Sequence, residues 1–272
     1  MQEINVDHWE DLLSAIENLQ ETRKNIGRTS GASTSQFLYR GQADAEWKLR
    51  STLEIQVALP YRFDDYFRLV ANVHPQIETF TGRHWPIPTL SELEAWASDY
   101  DNLKKTKFPG YEFLIYLRHH RFPSPLLDWT ASPYIAAYFA FEQSVENRSA
   151  IWIYWEGTGQ GKDASKLKPQ IQSFGHNVRS HPRHFNQQSA YTVSARFQNG
   201  AWHYVAYEQT SSRTEEKSQD RLYKLTVPTS ERLKVLSILD SMNVNALSLF
   251  NNEEALVQTL AIRELHLAGY EP

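Results

Sequence analysis

The segment His119-His-Arg-Phe-Pro-Ser-Pro-Leu-Leu-Asp-Trp-Thr-Ala-Ser-Pro-Tyr-Ile-Ala-Ala-Tyr-Phe-Ala-Phe141 decides how the chain around it is read. Pro123 and Pro125 fix two backbone angles and favour an extended approach in the residues before them. Ser132 suits a helix N-cap, and Pro133 then falls at the first helical position, where its missing N–H costs nothing. Ile135, Ala136, Phe139 and Ala140 follow at helical spacing and give that helix an apolar, close-packing face. The segment predicts a stiff loop that holds Asp128, Trp129 and Thr130 at the mouth of a buried helix. Polar groups on rigid elements suit a site; a core turn with one capped aspartate accounts for the same residues.

Towards the N-terminus, Tyr111 to His119 is apolar at helical spacing and feeds the loop. The pattern from about 61 to 105 is mostly helical, broken by Pro86 and Pro88, with Ser91 and Glu94 as a capping box. Gln36 to Arg40 predicts a short strand stopped by Gly41. Before it lie a polar linker, Arg28 to Ser35, and a helix capped by Asp7 that ends before Gly27, with Trp9, Leu12, Leu13, Ile16 and Leu19 on one face. Residues 1–30 therefore form an N-terminal helix and linker.

Towards the C-terminus the pattern turns to strands: Ala150 to Trp155, Gln187 to Arg196, Trp202 to Gln209 and Leu222 to Val227. Gly157 to Lys168 and Ser211 to Asp220 predict solvated connections. Ser230 caps a helix carrying Leu233, Leu236 and Leu239, and a last helix runs from about Glu253 to Leu265. Helices, then strands, then helices make an α+β single domain over 36–265, with a mixed or antiparallel β core and a helical insertion at about 61–105.

Composition narrows the chemistry. The chain has 272 residues, 41% of them hydrophobic, with eight tryptophans and fourteen tyrosines, which excludes a disordered tail. Its net charge of −4 provides no global attraction to nucleic acid or anionic membrane. Cysteine is absent, which removes disulfides, thiolate metal sites and a cysteine nucleophile. The polar N-terminus is no signal peptide, and no apolar run approaches the ~20 residues that span a bilayer. A cytoplasmic protein without membrane partners is expected.

Several motifs fail on inspection. Glu156-Gly-Thr-Gly-Gln-Gly-Lys162 lacks the first glycine and the final Ser or Thr of a phosphate loop. His119 and His120 are adjacent and point apart, and His181 and His184 lack a partner pattern, so no metal site is expected. There is no Gly-x-Ser-x-Gly elbow, and nothing links Asp128 to Glu54 as a carboxylate pair. Tyr39-Arg40-Gly41 is more informative. An arginine ending a buried strand needs a partner, either a carboxylate of the protein or a bound anion, and Gly41 lets a ligand approach the backbone. Gln187-Gln188-Ser189 opens a strand with one amide on each face.

These three clusters together resemble the FRG domain family. The aromatic-Arg-Gly signature is Tyr39-Arg40-Gly41. A histidine, a proline-bearing turn and Leu-Leu-Asp-Trp-Thr run from His119 through Thr130 into Ser132-Pro133, and the glutamine-rich strand opening is Gln187-Gln188-Ser189. Arg121 and Ser189 stand where many members carry glycine. The resemblance runs from about Gln36 to Leu265. The motif order is similar to that of ADP-ribosyltransferases, with Arg40 on the first strand, Thr130-Ala131-Ser132 after the second, and Gln187 or Gln188 in the place of a glutamate on the third.

That resemblance implies an ADP-ribosyltransferase-like fold with NAD as substrate, no metal, and a protein or nucleic-acid acceptor, as in a bacterial toxin or phage-defence effector. It implies catalytic roles for Arg40, Asp128, Thr130, Ser132 and Gln188, and NAD-binding roles for Tyr39, Gly41, His119, Trp129 and Gln187. Arg40 would anchor phosphates, and Trp129 or Tyr39 would stack on nicotinamide. A glutamine in place of the glutamate keeps the hydrogen bond and loses the charge. Gln188 alone, Asp128, or a distant glutamate such as Glu254 would serve; a binding module without catalysis is the alternative.

Overall fold

The computed structural model describes residues 2–30, 35–105, 108–143, 147–156, 168–174, 182–211 and 220–268. In chain order the elements are β1 (Gln2–Asn5), α1 (Trp9–Ser30), β2 (Phe37–Gln42), α2 (Thr52–Gln56), β3 (Tyr61–Arg62), α3 (Phe63–Thr81), α4 (Leu90–Ala97), α5 (Asn102–Lys105), α6 (Tyr111–His119), β4 (Leu127–Thr130) and α7 (Pro133–Phe141). There follow β5 (Arg148–Trp155), β6 (Gln170–Phe174), α8 (Pro182–Asn186), β7 (Ser189–Gln198), β8 (Ala201–Tyr204), α9 (Tyr207–Ser211), β9 (Arg221–Pro228), α10 (Arg232–Ser241), α11 (Ala246–Phe250) and α12 (Glu253–Ala261), with a π-helical turn at Ile262–Leu267. The strands form one sheet in the order β1-β9-β5-β2-β4-β7-β8-β3, with β6 also on β7. Only β1 and β9 pair in parallel among the described strands. The fold is α+β with a mixed sheet, as the sequence predicts.

Strand alternation explains where the core divides. Phe37 and Tyr39 of β2, Ile151 and Ile153 of β5 and Leu225 of β9 pack under α1, α7 and α10 to α12. Tyr191 and Val193 of β7 and Trp202 of β8 pack under α3 to α6. Tyr39 lies opposite Thr130, and Thr130 opposite Ser189, so both helical layers cover the same face of the sheet. β4 runs along the seam between them. Its residues Asp128 and Thr130 point into the seam, while Leu127 and Trp129 join Leu38, Trp152 and Tyr154 in a third core on the opposite face.

Several expectations are corrected. Residues 127–130 are a strand, not part of a stiff loop; the loop lies before them and is tied to α2 by Ser124 N–H to Thr52 Oγ1 at 2.9 Å and Leu53 N–H to Ser124 O at 3.0 Å. The first helix passes through Gly27 to Ser30, because Leu19 and Ile26 pack on the core and one glycine costs only ~1 kcal/mol. Its first N–H is met by Glu231 at 3.0 Å, whereas Asp7 lies 3.9 Å from Arg148. The capping box is Thr89 with Glu92, not Ser91 with Glu94: Pro88 keeps the chain extended up to Thr89, which becomes the first residue able to cap. Ser230 sits in a 3-10 turn, and Glu231 precedes α10 without a side-chain cap. Strand β8 ends at Tyr204 and the chain turns into α9. Of the two expected solvated connections, residues 157–167 and 212–219 lie outside the described residues.

Gly41 continues β2 rather than stopping it, and its missing side chain makes room for helix α7. A Cβ at this position would lie 1.9 Å from the Ala136 carbonyl oxygen and 2.6 Å from the Ala140 nitrogen. The alanines of α7 and this glycine together let helix and strand backbones approach closely. Gly41→Ala is therefore expected to destabilise the fold by at least the ~1–3 kcal/mol of overpacking, seen as a lower melting temperature. A melting temperature equal to that of wild type would contradict this packing.

Candidate functional site

Strand β2 pairs with β5 along all six of its residues, yet meets β4 only at Tyr39 opposite Thr130. Past that pair the two strands no longer share a ladder, and their backbone groups need other partners. Arg40 supplies one: its Nη1 donates to the Asp128 carbonyl oxygen at 2.9 Å. The Asp128 carboxylate is held from the opposite side, with Oδ2 2.6 Å from Nη2 of Arg118 at the end of α6. Asp128 Oδ1, Arg118 Nε and Arg40 Nε are buried and take no hydrogen bond. Burial pulls the Arg40 guanidinium below its ordinary pKa, and the nearby Asp128 works against that shift.

A cavity of about 430 Å³ opens here, bounded by the β2–β4 split, the end of α6, α7, α8 and Phe250 of α11. Four arginines line it, Arg40, Arg118, Arg121 and Arg183, and Asp128 is the only carboxylate among the described lining residues. Arg121 follows α6 in a left-handed conformation, φ 65°. The Arg183 guanidinium lies 5.5 Å from the Phe250 ring centre. His119 also faces the cavity, its Nε2 3.0 Å from the Tyr191 hydroxyl.

The structure brings most of the expected residues to this cavity but changes what several can do. Trp129 is 3% exposed; its Nε1 donates to Thr192 Oγ1 at 2.8 Å, and its ring packs on Tyr154 in the third core. Tyr39 is buried under the first helical layer, and its hydroxyl accepts from Gln20 Nε2 at 3.0 Å. Neither ring is open to stack on a ligand. The aromatic walls are instead Phe139, Phe250 and Trp47, the last 49% exposed.

Thr130 lines the cavity, and its Oγ1 accepts from Ser132 N–H at 3.1 Å. Ser132 lies away from the lining and caps α7, accepting from Ile135 N–H at 3.4 Å. Gln187 and Gln188 sit in the turn between α8 and β7 rather than opening a strand. Gln187 lines the cavity, and its Nε2 reaches the Leu249 carbonyl at 3.3 Å. Gln188 is exposed and has φ 47°; its carbonyl accepts from Ala131 N–H at 3.0 Å and its N–H donates to the Phe185 carbonyl at 3.0 Å. Glu54 lies outside the cavity, where burial raises its pKa. Glu254 is an exposed residue of α12.

Sequence patterns alone miss Arg118, Arg183, Trp47 and Phe250, and mark Arg121 only as a departure from the family pattern. Arg118 had a usable signal, being a basic residue in the last turn of an otherwise apolar helix. No group of three His, Asp or Glu residues able to hold a metal occurs among the described residues, and His181 lies outside them. No helix among the described residues is long and apolar enough to cross a membrane.

The FRG domain family matches residues 35–149. No curated protein and no solved structure matches the chain. The matched stretch contains Tyr39-Arg40-Gly41 and the whole His119–Phe141 segment, and it stops as β5 begins. Gln187-Gln188-Ser189 and the C-terminal helices, which the sequence resemblance included, lie beyond it.

Arg40 bridges two strands from inside the fold, while Arg121 stands on the exposed rim. Arg40→Ala is expected to cost about 1.5–3 kcal/mol of unfolding free energy, the scale of a charged hydrogen bond. Arg121→Gln should stay within about 0.5 kcal/mol of wild type in the same denaturation series. Equal stability of the two variants would remove Arg40 from its bridging role. From the start of β2 to the start of β5, residues 35–149, the chain carries an FRG domain.

Proposed function

We propose that the cavity at the β2–β4 split binds NAD and cleaves the bond between nicotinamide and ribose, passing ADP-ribose to water or to a protein or nucleic-acid acceptor. The observation that carries this reading is the charge of the cavity: four arginines and one aspartate line it in a chain of net charge −4. Its volume of about 430 Å³ falls within the ~300–1,000 Å³ of small-molecule sites. On this reading the sheet is ADP-ribosyltransferase-like. The order of Arg40 on β2, Thr130-Ala131-Ser132 from the end of β4 to the cap of α7, and a polar β7 start supports that assignment.

The residues divide the work. Arg121 and Arg183 pair with the pyrophosphate, and Trp47 or Phe250 covers the nicotinamide ring. Gln187 offers an amide to the ribose hydroxyls. Asp128, held and oriented by Arg118, faces the ribose carbon. When the C–N bond breaks, both electrons leave with neutral nicotinamide, and the positive charge left on the ribose is stabilised by the Asp128 carboxylate. Water or an acceptor hydroxyl then adds to that carbon and releases its proton to solvent. Thr130 and Ser132 fix the turn from β4 to α7, and Arg40 holds β4 in place; these are positioning roles.

A second reading, a nucleotide-binding module without catalysis, is favoured by one distance. Asp128 Oδ2 is engaged by Arg118 at 2.6 Å, and no glutamate lines the cavity among the described residues. Asp128→Asn separates the two. In the enzyme it should lower nicotinamide release by about 100-fold or more, while NAD still raises the melting temperature. If wild type is stabilised by NAD but releases no nicotinamide, the binding module is correct. If NAD neither stabilises the protein nor is cleaved, the cavity is no NAD site.

A further inference from the structure

Helix α12 packs with its small residues inward and its large apolar residues outward. Ala255 and Thr259 are its buried residues. Leu256 is 41% exposed, Val257 65% and Leu260 44%, and Leu265 in the π-helical turn that follows is 56% exposed. A surface helix ordinarily lays its apolar stripe on the core. Two polar attachments fix the reverse orientation here. Thr259 Oγ1 accepts from Leu247 N–H at 3.0 Å and donates to the Ala255 carbonyl at 2.8 Å. Arg263 Nε and Nη2 each donate to the Asp240 carboxylate at 2.9 Å. Turning the leucines inward would break both, so the exposed stripe is built into the fold.

The charges at the two ends of this stripe select what covers it. Glu253 and Glu254 make the first turn of α12 acidic. The π-helical turn at the other end carries His266 and Arg263, which stays partly exposed beside Asp240. A second α12 lying parallel would set acid beside acid. One lying antiparallel sets each acidic first turn beside the other copy's basic end, with the helix dipoles opposed. A two-fold axis beside Leu260 then brings Leu256, Val257 and Leu260 of both copies together, the same patch on each side. We infer that two copies of this chain pair through α12, helix antiparallel to helix. Glu264 is the only acid in the π-helical turn, and it works against the pairing. The fifteen residues from Glu253 to Leu267 span about 22 Å. That is a small contact, and it sets a weak, micromolar pairing. Nothing in this inference depends on what the cavity binds.

The test is sedimentation velocity of the full chain without ligand, repeated on Leu260→Glu, Val257→Glu and Glu264→Lys. Wild type should pass from monomer to dimer as its concentration rises from about 1 to about 100 µM. Leu260→Glu and Val257→Glu should stay monomeric throughout, with the melting temperature of dilute wild type, because both positions are exposed in the single chain. Glu264→Lys should dimerise at a concentration lower by about threefold or more, since the two-fold axis repeats each new ion pair. A wild type that is monomeric at the highest concentration would overturn the inference and leave the stripe to a different protein. A dimer that survives both glutamate substitutions would place the contact elsewhere and overturn it as well. Growth beyond the dimer would contradict the two-fold axis. Unchanged or weaker pairing in Glu264→Lys would contradict the antiparallel order.

Discussion

Asp128 is held between two guanidinium groups, its carboxylate by Arg118 and its carbonyl by Arg40. The candidate site depends on this double attachment. A sheet with helices packed side by side on one face would ordinarily bury the strand between them. Here α7 is drawn tightly onto β2 by Gly41, and α6 packs on the β7 side, so β4 lies under the seam with Asp128 and Thr130 facing the cavity. Arg40 then satisfies the Asp128 carbonyl that the missing β2–β4 ladder leaves open, and Arg118 pairs with the Asp128 carboxylate. Charged groups so placed are costly unless paired, and the pairing also fixes the geometry of the cavity floor.

The same arrangement sets a balance between stability and binding. Asp128 Oδ1 and the Nε atoms of Arg40 and Arg118 stay buried without hydrogen-bond partners, although most buried polar atoms in folded proteins have one. These three atoms lie at the floor of a cavity whose walls are otherwise aromatic and cationic. Local cost at a cavity is a frequent companion of function. The left-handed backbone of Arg121 on the rim belongs to the same pattern.

Much of this was legible in the sequence wherever one local rule decided the outcome. Ser132-Pro133 capped the helix as expected, and the strand at Ala150 to Trp155 needed only its composition. Arg40, Asp128, Thr130 and His119, all drawn from short motifs, line one cavity. What failed was any inference that needed neighbours. Leu127 to Thr130 is extended because β7 pairs with it along the whole segment, which the flanking prolines do not reveal. Trp129 and Tyr39 carry the right chemistry for ring stacking but occupy core faces set by register. Arg183 and Phe250 lie far from the motifs in sequence and reach the cavity only through the packing of α8 and α11. Gln187 and Gln188 belong to a turn, so their resemblance to a strand motif did not fix which side chain points inward.

The central claim is that the seam over β4, where β2 and β4 part, is where this protein meets its ligand. Hydrogen exchange of the full chain with and without saturating NAD tests it most directly. Slower exchange confined to the segments around Arg40–Gln42, Arg118–Thr130 and Arg183–Ser189 is the predicted result. Protection that appears elsewhere on the molecule while these three segments exchange as before would contradict the account.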